Sequence, residues 1–152
     1  MPGSGKSTVG KILAKLYSRP FIDTDALIEE RAGKTISKIF EEDGEASFRA
    51  LEHDIIKEIS AKNCSVISTG GGAVLNPKNI SALRENGKIY FLDRPLSALV
   101  PTADRPLALS AEEIKKRYEE RYDIYISVAD VRIDADCEVD AVVGKIKRSF
   151  GE

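Results

Sequence analysis

The feature that most restricts how this chain can fold is a glycine-rich loop that runs directly into a helix. Residues 2–8 read Pro-Gly-Ser-Gly-Lys-Ser-Thr. Apolar residues follow at helical spacing, namely Val9, Ile12, Leu13 and Leu16. Glycines let successive backbone N–H groups converge on phosphate oxygens, and the start of a helix adds partial positive charge. The segment therefore predicts a phosphate-binding loop, with an incidental lysine in a Gly/Ser loop as the alternative.

The loop matches the pattern Gly-x-x-x-x-Gly-Lys-[Ser/Thr] in its last three positions. In such loops the lysine reaches the outer phosphates and the hydroxyl ligates Mg²⁺. We expect phosphates to bind along Gly3, Ser4, Gly5, Lys6, Ser7 and Thr8. The first glycine of the pattern would precede Met1, and the strand that normally feeds such a loop is absent from the sequence.

The composition predicts one globular domain over residues 1–152. Hydrophobic residues make up 42% and charged residues 32%, and the net charge is −2. This balance argues against a nucleic-acid coat protein, and no apolar run approaches the roughly 20 residues that span a bilayer. Without a recognisable signal peptide, we expect a cytoplasmic protein with no nucleic-acid or membrane partner. Cys64 and Cys137 lack metal-ligand spacing, which predicts buried, reduced thiols.

Strand-like and helical patterns alternate along the chain. Predicted strands cover residues 20–23, 65–68, 88–92 and 131–134. Predicted helices cover residues 25–31, 36–42, 45–61, 77–86, 110–125 and 139–150, and residues 101–110 predict a loop. The alternation predicts an α/β fold of three layers, α/β/α, in which helices cover both faces of a parallel sheet. Ligands bind such sheets at the carboxyl ends of the strands.

Two carboxylates follow the first predicted strand in the segment Asp23-Thr24-Asp25. One carboxylate can hold water on Mg²⁺ while the other orients a substrate hydroxyl and accepts its proton. Asp and Thr also cap helices well, so a capping role is the alternative. Beside a phosphate loop we favour the catalytic interpretation.

Three consecutive glycines, Gly70, Gly71 and Gly72, follow the second predicted strand. Backbone without side chains can approach a ligand closely and donate N–H groups to a polar substrate. A flexible turn is the alternative, but three glycines carry a high entropic cost for that purpose. We therefore favour a ligand-binding segment.

Three arginines on separate elements complete the set: Arg49 after Phe48, Arg105 in Arg-Pro-Leu, and Arg121. Each one alone is typical of a solvated surface. Together, the phosphate loop, the Asp-Thr-Asp segment, the three glycines and these arginines form a set of motifs. In its order along the chain, this set resembles the shikimate kinase family over essentially the whole chain. The resemblance implies the P-loop kinase fold of the nucleoside-monophosphate kinase group. It also implies transfer of the ATP γ-phosphate to the 3-hydroxyl of shikimate.

The resemblance implies a role for each matched residue. On the nucleotide side, Lys6 and Ser7 would serve ATP and Mg²⁺, and Asp23 would hold the metal through water. Arg105 would reach the ATP and the transferred phosphate from a lid over residues 101–110. On the acceptor side, Asp25 would bind the shikimate hydroxyls and act as the catalytic base. Arg49 and Arg121 would clamp the shikimate carboxylate. The backbone of Gly70, Gly71 and Gly72 would line the same pocket.

The chain departs from the family in three places. The opening strand lies mid-sheet in this fold, so for a chain that begins at Met1 we expect weak ATP binding and a damaged or rearranged sheet. No basic residue lies between Arg94 and Arg105, so an ATP-contacting arginine of the family's lid is missing. The stretch that contacts adenine, here residues 135–138, matches only loosely.

Smaller expectations concern single side chains and the oligomeric state. We expect His53 at the surface, and Tyr118, Tyr122 and Tyr125 to pack from one helical stripe. A monomer is expected because no heptad stripe is present. Two functional alternatives stay open: another small-molecule P-loop kinase, such as a gluconate or nucleotide kinase, and a degenerate domain that binds nucleotide or shikimate without turnover.

Overall fold

The computed structural model describes residues 4–62, 64–99 and 110–151. The helices in this part of the chain are α1 Lys6–Leu16, α2 Thr24–Ala32, α3 Ile36–Glu42, α4 Gly44–Ser60, α5 Pro77–Asn86, α6 Ala111–Val128 and α7 Val139–Ser149. The strands are β1 Phe21–Asp23, β2 Val66–Ser68, β3 Tyr90–Asp93 and β4 Val131–Asp134. Short 3₁₀ turns at Ala73–Leu75 and Leu96–Ala98 were not predicted, because three residues are too few to show a period.

Side-chain caps fix several helix starts where the sequence predicts them. The Ser110 Oγ accepts a hydrogen bond of 3.1 Å from the Glu113 N–H at the start of α6. The Asn76 Oδ1 accepts one of 3.0 Å from the Lys78 N–H, and Pro77 occupies the first turn of α5. These bonds satisfy amide groups that have no partner within the helix, which is why such residues mark its beginning.

The strands form two separate parallel pairs. β1 pairs with β2, with Ile22 opposite Ile67, and β3 pairs with β4, with Leu92 opposite Ile133. Among the described residues no strand joins β2 to β3. In the described part of the chain the sheet is therefore interrupted between β2 and β3, as expected from the sequence.

Helices cover both faces of the strand pairs, which confirms the predicted α/β architecture. Adjacent residues of β3 point to opposite faces, as the pleat requires. Leu92 packs with α1 and α7, whose buried side chains include Val9, Leu13, Val143 and Ile146. Phe91 packs on the other face with Ile114 and Tyr125 of α6. A third cluster joins α2, α3 and α4 beside β1 and β2, and its buried members are Ile28, Ile36, Ile39, Phe48, Ile55 and Ile59.

The structure shows how far Cys64, Cys137 and His53 are buried, which the sequence analysis predicted for each of them. Both cysteines are free but exposed, so the predicted burial is wrong. Each lies in a turn next to a strand rather than inside an element. His53 is half-buried at the surface, and its Nδ1 lies 2.7 Å from the Oδ1 of the fully buried Asn79.

The tyrosine stripe packs as predicted. Tyr125 stacks on Phe91 with 5.1 Å between ring centroids, and Tyr118 stacks on Tyr122 at 5.0 Å. Within the described ranges, no helix is both long and apolar enough to cross a bilayer. Gly3 and residues 101–109 of the predicted lid, which include Arg105, lie outside the described residues.

Candidate active site

The Asp-Thr-Asp segment turns β1 into α2 at the carboxyl end of the strand. The Asp23 Oδ1 accepts hydrogen bonds from the N–H groups of Asp25, at 2.9 Å, and Ala26, at 3.3 Å. Asp23 is thus the N-cap of α2, which confirms the capping alternative for this residue. Asp25 occupies the first turn, and its carboxylate is directed toward the segment that follows β2.

Thr24 ties the two strand ends together. Its side chain is completely buried, and its hydroxyl accepts a 3.1 Å hydrogen bond from the Gly70 N–H. That amide is therefore paired within the protein rather than facing a ligand. The bond holds the start of the segment Gly70–Gly72, here called the glycine segment, against the start of α2.

Charged side chains lie against the backbone of two of the three glycines. A Cβ atom at Gly70 would lie 2.7 Å from the Asp25 Oδ1. A Cβ atom at Gly72 would collide with the Arg49 guanidinium. Other groups therefore approach the glycine backbone closely, as the sequence predicts. In this structure they are the carboxylate of Asp25 and the guanidinium of Arg49.

Arg49 reaches this point from α4, where the preceding residue, Phe48, is buried in the core. Its Nη1 donates a 3.0 Å hydrogen bond to the Oε1 of Glu52, one turn along the helix. The Nε lies 3.6 Å from the Oε1 of Glu45, which is mostly exposed. The guanidinium is held over the glycine segment by a buried and an exposed carboxylate on one helix face.

Glu52 is an ionisable group that sequence reasoning missed, and only 1% of it is exposed. Burial raises the pKa of its carboxyl group, and the neighbouring Arg49 guanidinium opposes that rise. The Asp25 carboxylate raises this pKa further and the Arg121 guanidinium lowers it. Residues from α2, α4 and α6 therefore form one electrostatic cluster.

The α6 helix contributes Arg121, which is only 8% exposed. One turn further on, the Tyr125 hydroxyl donates a 2.6 Å hydrogen bond to the carbonyl oxygen of Gly71. This bond anchors α6 on the glycine segment and places Arg121 beside the Arg49 cluster. Burial raises the pKa of the Tyr125 phenol, so the hydroxyl keeps its proton.

Arg117 is a third guanidinium on the same face of α6, one turn before Arg121. Burial lowers the pKa of Arg117, and the charges of Arg121 and Arg49 lower it further. Its i, i+4 spacing from Arg121 was the available sequence signal. The three arginines concentrate positive charge around the glycine segment, which suits an anionic group on a small ligand.

The phosphate loop enters α1 through Gly5, whose φ of +86° is a left-handed conformation that glycine adopts without strain. Among the described residues, no side-chain hydrogen bond caps the first turn of α1, which contains Lys6, Ser7 and Thr8. A bound anion commonly takes the capping role in that arrangement. Lys6 and Ser7 are half-buried, Thr8 is exposed, and Ser4 is buried.

The metal ligands predicted from the sequence are Ser7 and Asp23. The described residues hold no group of three or more His, Cys, Asp or Glu side chains suited to a metal ion. Mg²⁺ that accompanies a nucleotide keeps its waters and phosphate ligands and takes only one or two protein groups. Ser7 offers one hydroxyl, and Asp23 offers one carboxylate that also caps α2. Two such groups suit a metal ion that arrives with the nucleotide, but they are too few to hold a metal ion permanently.

A further polar cluster, which was not predicted from the sequence, lies at the carboxyl end of β3. Asp93 is buried and accepts hydrogen bonds from the Arg132 Nε at 2.7 Å and the Tyr122 hydroxyl at 2.8 Å. Tyr122 and Tyr125 are on adjacent turns of α6, and Tyr125 contacts the segment after β2. The carboxyl ends of β2 and β3 therefore lie at the same edge of the fold.

The family model described as "Shikimate kinase" matches residues 2–150. A curated shikimate kinase of Clostridium botulinum (strain Eklund 17B / Type B) is 44% identical over 97% of this chain and 92% of its own length.

Solved structures give the same result. Shikimate kinase from Acinetobacter baumannii, in complex with shikimate, has a TM-score of 0.91 and 31% identity, and the match covers 98% of this chain and 88% of that one. Shikimate kinase from Aquifex aeolicus has a TM-score of 0.85 and 38% identity, with 98% and 91% covered. Each alignment includes nearly all of the elements described above.

Proposed function

Because the chain belongs to the shikimate kinase family, whose members are ATP-dependent kinases, we propose a specific reaction for it. The chain transfers the γ-phosphate of Mg-ATP to the 3-hydroxyl of shikimate and releases shikimate 3-phosphate and ADP. One observation carries this proposal. The ion pair of the partly buried Arg49 and the buried Glu52 lies beside the glycine segment, and the charges of Arg121 and Asp25 act on the same carboxylate.

The acceptor's carboxylate binds between Arg49 and Arg121. A guanidinium can donate two parallel hydrogen bonds to a carboxylate, and two guanidiniums on different helices fix both its position and its plane. Glu52 holds Arg49 from behind, so little side-chain entropy is lost when the ligand binds. The glycine segment, residues 70–72, leaves room for the ring of the substrate beside these groups.

Asp25 binds the hydroxyls of the acceptor and takes the proton of the attacking one. Its main chain is fixed by the Asp23 cap, and its carboxylate lies against Gly70. Phosphoryl transfer requires mainly positioning and charge neutralisation, so a carboxylate that orients the hydroxyl is sufficient. The proton moves from the hydroxyl oxygen to the Asp25 carboxylate.

The phosphates of ATP bind over the first turn of α1. The backbone of the loop and the Lys6 ammonium group hold the outer phosphates, and Arg105 from the lid over residues 101–110 neutralises the transferred group. Mg²⁺, when bound with ATP, offsets phosphate charge near Ser7 and Asp23. We propose that residues 1–152 fold as one domain that acts as a monomer in the cytoplasm and binds neither nucleic acid nor a membrane.

The proposal is tested by measuring ADP release from Mg-ATP with and without shikimate. Release that depends on shikimate and is lost in Lys6→Met supports it. Release that depends instead on gluconate or a nucleoside monophosphate would favour a different P-loop kinase. Calorimetric binding of shikimate without turnover would favour the degenerate binding domain, an alternative supported by the separation of the two strand pairs.

A further inference from the structure

The phenol ring of Tyr125 is fixed by packing. The residue lies on α6 and is only 5% exposed. Its ring stacks on that of the buried Phe91, with 5.1 Å between the ring centroids and 22° between the ring planes. Phe91 belongs to β3, so the tyrosine ring is held against a strand. The position of its hydroxyl oxygen is therefore set by the protein's own core.

The Tyr125 hydroxyl joins two parts of the proposed acceptor site. It donates its proton to the Gly71 carbonyl oxygen at 2.6 Å. Burial raises the pKa of the phenol most strongly, and the charge of the Arg121 guanidinium and a hydrogen bond from that side chain oppose the rise. A guanidinium has only donors, whereas a phenol oxygen both donates and accepts. The hydrogen bonds therefore run in one direction, from Arg121 through Tyr125 to Gly71.

The backbone on either side of the Gly71 carbonyl is fixed as well. The Gly70 N–H donates to the Thr24 hydroxyl at 3.1 Å, and the Asn79 Nδ2 donates to the Ala73 carbonyl oxygen at 3.0 Å. The side chains of Thr24 and Asn79 are completely buried. The Gly71 carbonyl lies between these two bonds and offers the tyrosine a firm acceptor. The hydroxyl thus holds α6 at a defined distance from the glycine segment.

The two arginines proposed to bind the acceptor's carboxylate have partners of different charge. Arg49 donates a 3.0 Å hydrogen bond to the Glu52 carboxylate. Arg121, which is 8% exposed, meets a protonated phenol, which carries no net charge. A carboxylate partner competes with an anionic ligand for a guanidinium, whereas a neutral oxygen fixes its direction and leaves its charge available. The Tyr125 hydroxyl therefore orients the Arg121 guanidinium without neutralising it.

We propose that Tyr125 is the positioning residue for the acceptor's carboxylate. Its hydroxyl sets the plane of the Arg121 guanidinium and ties that group to the glycine segment. An arginine ordered only on binding would lose rotamer entropy at that moment, and this hydrogen bond removes that cost in advance. Tyr125 acts through Arg121 and touches no reacting atom. The inference rests on the proposed function, in which Arg121 binds the carboxylate of shikimate.

The substitution Tyr125→Phe tests the proposal, because it removes the hydroxyl and keeps the ring that stacks on Phe91. We expect the Kd for shikimate, measured by calorimetry, to rise about tenfold, since a hydrogen bond to a charged group is lost. The KM for shikimate should rise by a similar factor, while kcat and the KM for ATP change less than about twofold. An unchanged Kd would overturn the proposal.

Tyr122→Phe is the matched control, since it removes a hydroxyl from the adjacent turn of the same helix. That hydroxyl donates to the Asp93 carboxylate at 2.8 Å, and the Arg132 Nε, at 2.7 Å, keeps Asp93 paired after the substitution. The lost bond lies at the end of β3 rather than at the glycine segment, so the Kd for shikimate should change less than about twofold. Equal losses in the two variants would indicate a general loosening of α6 and would contradict the proposal.

The methyl ester of shikimate separates positioning from a merely structural role. It keeps the ring and the hydroxyls but offers the guanidinium no carboxylate. Tyr125→Phe should weaken binding of the ester less than about twofold, against about tenfold for shikimate. Equal losses for the two ligands would reject the assignment. Failure of the unmodified chain to bind shikimate would reject the proposed function as well, whereas binding that is insensitive to Tyr125→Phe would reject the assignment alone.

A double-mutant cycle with Arg121→Gln tests the same point without the ester. Because Tyr125 acts through Arg121, removing its hydroxyl should raise the Kd of the Arg121→Gln chain less than about twofold. The full loss in that background would contradict this route.

Thermal unfolding shows whether each variant folds. If Tyr125→Phe does not fold, nitrogen NMR of the unmodified chain without ligand decides. Separate guanidinium N–H resonances for Arg121, identified by their loss in Arg121→Gln, support a held side chain, and one averaged resonance would overturn the proposal.

Discussion

The Arg49 Nη1 donates a 3.0 Å hydrogen bond to the Oε1 of Glu52, and the carboxylate it meets is almost completely buried. Removing one partner of a buried ion pair is costly because the other charge is left without compensation. In this protein the uncompensated charge would be the guanidinium proposed to bind the substrate. The pair therefore links the stability of α4 to the position of a binding group.

Glu52→Gln should raise the KM for shikimate about tenfold or more and change kcat less, because Arg49 loses its charged anchor. Steady-state kinetics with shikimate varied at saturating ATP measures this. Glu45→Gln is the matched control, since Glu45 is exposed and lies 3.6 Å from the same guanidinium; it should change KM less than about twofold. Equal effects of the two substitutions would contradict a special role for the buried carboxylate.

The stability of the protein should depend on pH through Glu52. Burial raises the pKa of this carboxyl above its ordinary value of 4.5, so the folded chain holds the proton more tightly than the unfolded chain. Its contribution to the free energy of unfolding is largest below pH 4.5 and is lost as the pH rises through the folded-state pKa.

Urea unfolding of the unmodified chain and of Glu52→Gln, from pH 4 to pH 8, tests this dependence. Glutamine cannot titrate, so the difference between the two unfolding free energies isolates Glu52. The unmodified chain should lose stability relative to the variant as the pH rises. A difference that is constant or grows in the other direction would show that Glu52 is not shifted as described.

Gly72→Ala should weaken shikimate binding, since its Cβ would displace the Arg49 guanidinium. We expect a rise of about tenfold in the KM for shikimate with folding intact, which thermal unfolding can verify. Gly144→Ala is the control: it lies in α7, and its Cβ would meet only ordinary contact with Arg148 at 3.6 Å. That substitution should preserve the KM and stabilise the helix by up to about 1 kcal/mol.

Asp25→Asn should reduce turnover by about a hundredfold or more while shikimate binding changes little, because the amide cannot accept the hydroxyl proton. Lys6→Met should instead impair the use of ATP. Turnover rates and shikimate calorimetry on both variants distinguish these effects. Small and equal losses in the two variants would refute the assigned roles.

Local sequence determined the elements and the order of the motifs. Helix starts were predictable because Ser110 and Asn76 cap amides only two or three residues away. β4 has the predicted bounds, Val131–Asp134, because its β-branched residues lie between clear turns. The phosphate loop and the Asp-Thr-Asp segment were found for the same reason: their chemistry resides in adjacent residues.

Only the tertiary structure decided which distant side chains meet. Glu52 resembles a surface residue in sequence, yet it is buried because α2, α4 and α6 converge on it. Arg49, 23 positions before Gly72, lies across this glycine, so that a Cβ at Gly72 would displace the guanidinium. Burial and the pairing of side chains depend on packing between elements far apart in the chain, and no local spacing in the sequence encodes such contacts.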